Sequence, residues 1–167
     1  MTIAGALVSL SVTIIIILMD NRDNRDTVQL DFCNALDMLD LVQGVCDHLG
    51  KLVGFDEDSV HWVGVAVRES VINAIKHGNA GDESKRVQVE FTYSVDNPSD
   101  GLEILVRDEG TGFDPANLPD PVASENLLKT SGRGVFLMRK FMDKVKWCSL
   151  PEGGMEVRMS KRCIPKV

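Results

Sequence analysis

The sequence contains no CxxC pair, no HExxH, no GxSxG, and no GxGxxG behind a first strand. The usual frames for structural zinc, zinc proteolysis, serine hydrolysis and dinucleotide binding are therefore missing. Its four cysteines, Cys33, Cys46, Cys148 and Cys163, stand 13, 102 and 15 positions apart, which fits neither zinc ligation nor a disulfide framework. Buried or idle thiols in a reducing compartment are expected. Positive charge is in deficit: 18 Lys and Arg face 25 Asp and Glu, a net charge of −7. Phosphate backbones repel such a surface, so direct nucleic-acid binding is not expected. A basic protein partner or a Mg²⁺–nucleotide suits the sign better. Internal repeats and low-complexity tracts are also lacking.

What is present is ordinary globular composition, 44% hydrophobic and 26% charged over 167 residues. That length suits one domain with an appendage. A domain of this size can bury about two-thirds of its unfolded surface without disulfides or structural metal. The appendage is Ile3–Met19, an uncharged run of 17 residues. A spanning helix needs about 20. Nothing basic precedes the run, and Asp20-Asn21-Arg22-Asp23 stands where a signal peptide would have its small-residue cleavage site. Arg22 and Arg25 follow it, so a spanning helix would leave the remainder in the cytoplasm. Three other considerations compete: a strand, from the alternation Val8-Ser9-Leu10-Ser11-Val12-Thr13-Ile14; the run of four isoleucines, weak helix material in water; and a start codon placed too far upstream. Residues 1–26 are thus read as a hydrophobic segment plus polar linker, a candidate inner-membrane anchor, and residues 27–167 as the folded domain.

Thr27–Phe32 alternates like a strand. Apolar residues at helical spacing predict helices over Asn34–Val53, with Asn34 as N-cap and Gly54 as stop, and over about Glu57–Lys76, ended by Gly78. Val87–Val95 and Leu102–Arg107 predict a hairpin. A third helix is expected over Gly134–Asp143, then a last hairpin of Val145–Leu150 and Met155–Ser160. The mixed order of helices and hairpins predicts an α+β two-layer sandwich, a mostly antiparallel mixed sheet covered on one face by helices.

Three short stretches can carry chemistry. In Glu69-Ser70-Val71-Ile72-Asn73-Ala74-Ile75-Lys76-His77-Gly78, helical spacing lines up Glu69, Asn73 and His77, with Lys76 beside them. Oxygen for a hard metal and cations for phosphates suit a Mg²⁺–triphosphate; a solvated helix face reads the same way. In Asp108-Glu109-Gly110-Thr111-Gly112-Phe113, alternate glycines let backbone approach a flat ligand, and Asp108 can accept from an exocyclic amine. A plain strand-ending turn is the alternative. Ser131-Gly132-Arg133-Gly134 opens a helix, where free N–H groups favour anions; a simple glycine turn is the alternative. Asp114–Thr130 between them is long and irregular, as lids often are. Gly44–Leu52 approximates a Walker A loop but has five residues between its glycines and Leu52 where Ser or Thr should hold Mg²⁺.

The order ExxxNAxxHG, DxGxGF, lid, GRGxxL resembles the GHKL ATPases, the superfamily of gyrase, heat-shock-90 chaperones, histidine kinases and MutL. Within it, the chain is most similar to stand-alone bacterial anti-sigma factors that are serine/threonine protein kinases. The likeness runs from about Thr27 to Lys161 and includes Gly112-Phe113-Asp114-Pro115, Asp120-Pro121 and Phe141-Met142-Asp143-Lys144-Val145. The resemblance implies a Bergerat-type ATP-binding fold with ATP and Mg²⁺ as ligands. By the same likeness Asn73 holds Mg²⁺, and Lys76 and His77 face the phosphates. Asp108 reads adenine in a pocket shaped by Gly110 and Gly112. Thr130, Ser131, Gly132, Arg133 and Gly134 close over the phosphates. Glu69 stands in the place of the general base.

No room remains for the transducer domain of gyrase-like enzymes. Asp47-His48-Leu49-Gly50 is unlike a phosphoacceptor box. The resemblance therefore implies a cytoplasmic bacterial serine/threonine kinase acting as an anti-sigma, partner-switching regulator. Its expected substrate is a STAS-like anti-sigma factor antagonist, its sequestered partner a sigma factor, and its expected state a homodimer. A nucleotide-gated partner-binding module without phosphotransfer is the alternative, and a stand-alone ATP hydrolase a third reading.

Overall fold

The computed structural model describes residues 14–20, 25–111 and 133–163. Its framework is a six-stranded sheet of β1 (Ile14–Asp20), β2 (Arg25–Cys33), β3 (Arg86–Tyr93), β4 (Leu102–Asp108), β5 (Lys144–Ser149) and β6 (Met155–Lys161). The strand order is β1-β2-β3-β4-β6-β5, and every neighbouring pair is antiparallel. Helices α1 (Leu39–Leu52), α2 (Glu57–Asn73) and α3 (Arg133–Phe141) form the second layer of the expected α+β sandwich.

Strand periodicity sorts the two faces of the sheet. Val28, Phe91, Ile104 and Met159 are register partners across four strands, and Leu30, Val89, Val106 and Val157 form the next row. All eight are buried under the helices. A third row begins Phe32–Val87 and ends on Asp108, a carboxylate in a position that alternation reserves for the core. The other face is polar. Its row Asp31, Gln88, Arg107, Glu156 is tied by Arg86–Asp31 and by Arg107–Glu156 at 2.8 Å.

Part of the hydrophobic N-terminal run belongs to this sheet. Ile14–Asp20 pairs residue for residue with Asp31–Arg25, which rules out one continuous spanning helix over Ile3–Met19. β-branched isoleucines suit a pleated strand better than a helix. The sheet therefore starts before Thr27, and the strand lies later than the Val8–Ile14 alternation, of which residues 8–13 are outside the described residues. Among the described residues, no helix is long and apolar enough to cross a membrane.

The helix ends explain themselves locally, with one exception. Gly54, at φ +91°, closes α1: its N–H bonds Lys51 O at 3.1 Å and the Phe55 N–H bonds Gly50 O at 2.9 Å. This is a Schellman turn, which a Cβ would strain. Asp56 caps α2, accepting from Ser59 N at 2.9 Å. Asn34, expected to cap α1, does not. A 3₁₀ turn, Leu36–Met38, precedes the helix, and Asn34 is buried and bonded elsewhere, to Ile75 O and Asn79. Buried polar groups must be satisfied, and here a tertiary partner wins over the local cap.

Candidate functional site

Two of the three motifs meet along α2. Glu69 and Asn73 are half-buried on its side toward α3. A Cβ on Gly134, the second residue of α3, would come within 2.6 Å of Glu69 Oε2 and 3.5 Å of Asn73 Nδ2. Hydrogen in place of a methyl lets the start of α3 close on these two side chains. The α2–α3 contact is reinforced further along by Trp62 and Phe141, stacked at 3.8 Å between centroids and 8° between planes. Arg133, at the head of α3, is exposed.

The predicted row of Glu69, Asn73 and His77 on one α-helix requires correction. The α-helix ends at Asn73 and continues as a single π turn, Ala74–Gly78, closed by Asn79 N–H on Ala74 O at 2.7 Å. Five-residue closure widens the turn and redirects the chain beyond it; such turns recur at functional sites. Lys76 and His77 are exposed on it, and no described residue holds either by a hydrogen bond or ion pair. Gly78 is then brought under the end of β4.

There the second motif joins the first. A Cβ on Gly78 would overlap the Asp108 carboxylate, and one on Gly110 would overlap Gly78 O. Asp108 Oδ1 accepts from Gly110 N at 2.9 Å and Met155 N at 3.2 Å. Oδ2 accepts nothing from a described residue. Asp108 is 7% exposed, and burial pushes its carboxyl above the usual aspartate range. The amides of Gly110 and Met155 and the charge of Lys85 pull the other way, by less. A buried carboxylate with one oxygen anchored, and the other not engaged by any described residue, is suited to accept from an amine-bearing ring.

Gly112, Thr130, Ser131 and Gly132, and the lid expected over Asp114–Thr130, lie outside the described residues. The structure thus brings together Glu69, Asn73 and Gly134 at one end, Gly78, Asp108 and Gly110 at the other, with Lys76 and His77 on the turn between.

Four contributors were not legible as site residues. Met155 supplies a backbone amide to Asp108, and Gly154, at φ +93°, has no room for a Cβ against Asp108 O. A glycine pair in a hairpin looks the same whether or not a strand end packs on it. Asn79 and Asn34 form a buried pair behind the Asp108–Gly110 turn. Asn79 directly follows Gly78, and its position beside the first motif was the available signal.

A family model described as the histidine kinase-like ATPase domain matches residues 34–161. The chain is 34% identical over 107 residues to an anti-sigma F factor of Oceanobacillus iheyensis, covering 63% of this chain and 70% of that protein. It is 29% identical over 104 residues to the serine-protein kinase RsbW of Listeria monocytogenes, covering 59% of this chain and 64% of that one, just under two-thirds of its length. To the serine-protein kinase RsbW of Bacillus subtilis it is 24% identical over 146 residues, 84% of this chain and 88% of the relative.

Proposed function

Because the chain belongs to the histidine kinase-like ATPase family, and is similar to members named as anti-sigma factor and serine-protein kinase, we propose that it is an ATP-dependent serine/threonine protein kinase. Its substrate on this reading is a STAS-like antagonist of an anti-sigma factor. Its sequestered partner is a sigma factor, and the working unit is a homodimer. The observation that carries the reading is Asp108: a buried carboxylate, one oxygen held by two amides, at a junction where Gly78, Gly110 and Gly154 let backbone segments pack closely around it. Side chains at those three glycines would collide with Asp108 or with Gly78 O and push the carboxylate out of place.

The residues fit both ligands. Asp108 would accept from the exocyclic amine of adenine. Mg²⁺ keeps several waters and takes few protein oxygens when phosphates share it, so the single carboxamide of Asn73 is enough. Mg²⁺–ATP supplies the phosphoryl group and neutralises its charge. Glu69, one helical turn from Asn73, would take the proton of an acceptor serine or threonine hydroxyl. Lys76 and His77, exposed on the π turn and engaged by no described residue, would offer positive charge to phosphate oxygens. Gly134 lets the head of α3 approach Glu69 and Asn73, where Arg133 stands next to it; by the family likeness Gly132 would also serve the phosphates.

Incubating the chain with γ-labelled ATP and a candidate STAS-like antagonist should label a serine or threonine of the antagonist. Glu69→Ala should abolish transfer and leave ATP affinity within a few-fold. Transfer absent from the unsubstituted chain, with ATP still bound and partner affinity still set by it, would replace the kinase by a nucleotide-gated binder.

A further inference from the structure

Asn79 is fully buried, and every polar atom of its side chain is engaged. Its Oδ1 accepts from Glu109 N at 2.8 Å. Its Nδ2 donates to Arg86 O at 2.9 Å and to Asn34 Oδ1 at 3.3 Å. Asn34 in turn donates to Ile75 O at 3.4 Å, and its own N–H reaches Lys85 O at 2.9 Å. One carboxamide therefore joins the end of β2, the π turn after α2, the start of β3 and the turn after β4. The last of these is the turn that carries Asp108. Glu109, whose amide Asn79 holds, lies between Asp108 and Gly110, and its Oε2 accepts from Arg86 N at 2.8 Å.

A buried amide–amide network of this kind is costly when any member is missing, because the orphaned groups lose water without replacement. Hydrophobic residues could pack these four segments together, though at the cost of leaving Arg86 O and Glu109 N without this partner. They would not supply a fixed acceptor for one particular N–H. Removing Oδ1 leaves Glu109 N unsatisfied, and the Asp108–Gly110 turn must shift to find another partner. Asp108 Oδ1 is bonded within that turn, to Gly110 N, so the carboxylate moves with it.

We propose that Asn79 is a positioning residue for base recognition: through Glu109 N it sets where the second carboxylate oxygen of Asp108, Oδ2, stands. The proposal rests on the reading of this junction as an adenine site. Asn34 holds Asn79 from behind and does not touch the turn, so it contributes stability rather than selectivity.

The test is the ratio of affinities for Mg²⁺–ATP and Mg²⁺–ITP, by calorimetry on the full chain. Inosine carries a carbonyl where adenine carries its amine, so the ratio reports the Asp108 contact and not phosphate binding. The unsubstituted chain should prefer ATP. Asn79→Ala should lower that preference by about tenfold, the scale of one charge-assisted hydrogen bond put out of register. Asn79→Leu keeps the branching at Cγ, leaves no cavity, and serves if the alanine variant does not fold. Asn79→Asp keeps the acceptor toward Glu109 and should restore the ratio at a lower melting temperature. Asn34→Ala should lower the melting temperature and leave the ratio alone. A ratio unmoved in folded Asn79→Ala or Asn79→Leu overturns the proposal, as does an equal fall in Asn34→Ala. No preference for ATP in the unsubstituted chain is a different failure: it removes the adenine site itself, and the positioning role with it.

Discussion

The carboxylate of Asp108 fills the space that a side chain on Gly78 would need; a Cβ there would overlap its Cγ and Oδ2. The end of β4 and the end of the π turn are in contact because one residue has no methyl group. Gly78→Ala should force Asp108 off its two amides, destabilise the fold by about 1–3 kcal/mol, and weaken ATP binding at least tenfold. Thermal melts and calorimetry on the same sample check both.

Gly134→Ala should behave differently. Its nearest atom is Glu69 Oε2, the free end of a flexible side chain, at 2.6 Å from the new Cβ. The carboxylate can swing aside, so stability should change by less than about 1 kcal/mol. Phosphotransfer should fall on the order of 10²-fold, the usual cost of a misplaced reacting group. A melt paired with a transfer assay separates this from a folding defect.

Asp108→Asn should stabilise the protein while disabling base recognition. Burial, opposed in part by the amides of Gly110 and Met155 and by Lys85, raises the Asp108 carboxyl above 3.8. The folded chain then binds this proton more tightly than the unfolded chain does. Its contribution to stability is full below the ordinary aspartate value and is lost as pH rises through the raised one. At neutral pH the asparagine variant should melt at or above the parent, and the two should converge as pH falls toward 3.8. Its preference for ATP over ITP should disappear.

The cysteines should alkylate in a fixed order. Burial, with a further push from Asp47, raises the Cys46 thiol to about 12, whereas Cys148 is exposed on β5. Thiolate fraction and access both govern reactivity. Iodoacetamide at pH 8 followed by peptide mass spectrometry should show Cys148 modified first and Cys46 only on unfolding.

The residues that sequence periodicity and spacing can resolve were legible, and those set by long-range contact were not. α1, α2 and the β3–β4 hairpin fall where alternation and helical spacing place them, because each buries one face of a regular element. Asp108 stood out as a carboxylate beside alternate glycines, and register now shows why: it continues the buried row of Phe32 and Val87. The π turn was not legible, since Ala74-Ile75-Lys76 has ordinary helical propensity and only the approach of Asp108 and Gly110 to Gly78 distinguishes it. Asn34 and Asn79 were not legible as a pair, because nothing local relates residues 45 positions apart. The isoleucine run misled in the opposite way, offering enough hydrophobicity for a membrane and enough β-branching for a strand edge.

The joint between β4 and β6 has a bearing on how the protein is made. Every other strand pair in the sheet links neighbours in the chain, but this one skips β5 and waits for Met155. Met155 also furnishes one of the two amides on Asp108. A growing polypeptide halted on the ribosome short of that residue could pair its first four strands and still lack one of the two amides that hold Asp108. If Asp108 reads a base, nucleotide can favour only chains that already include Met155, and it offers no help to shorter fragments.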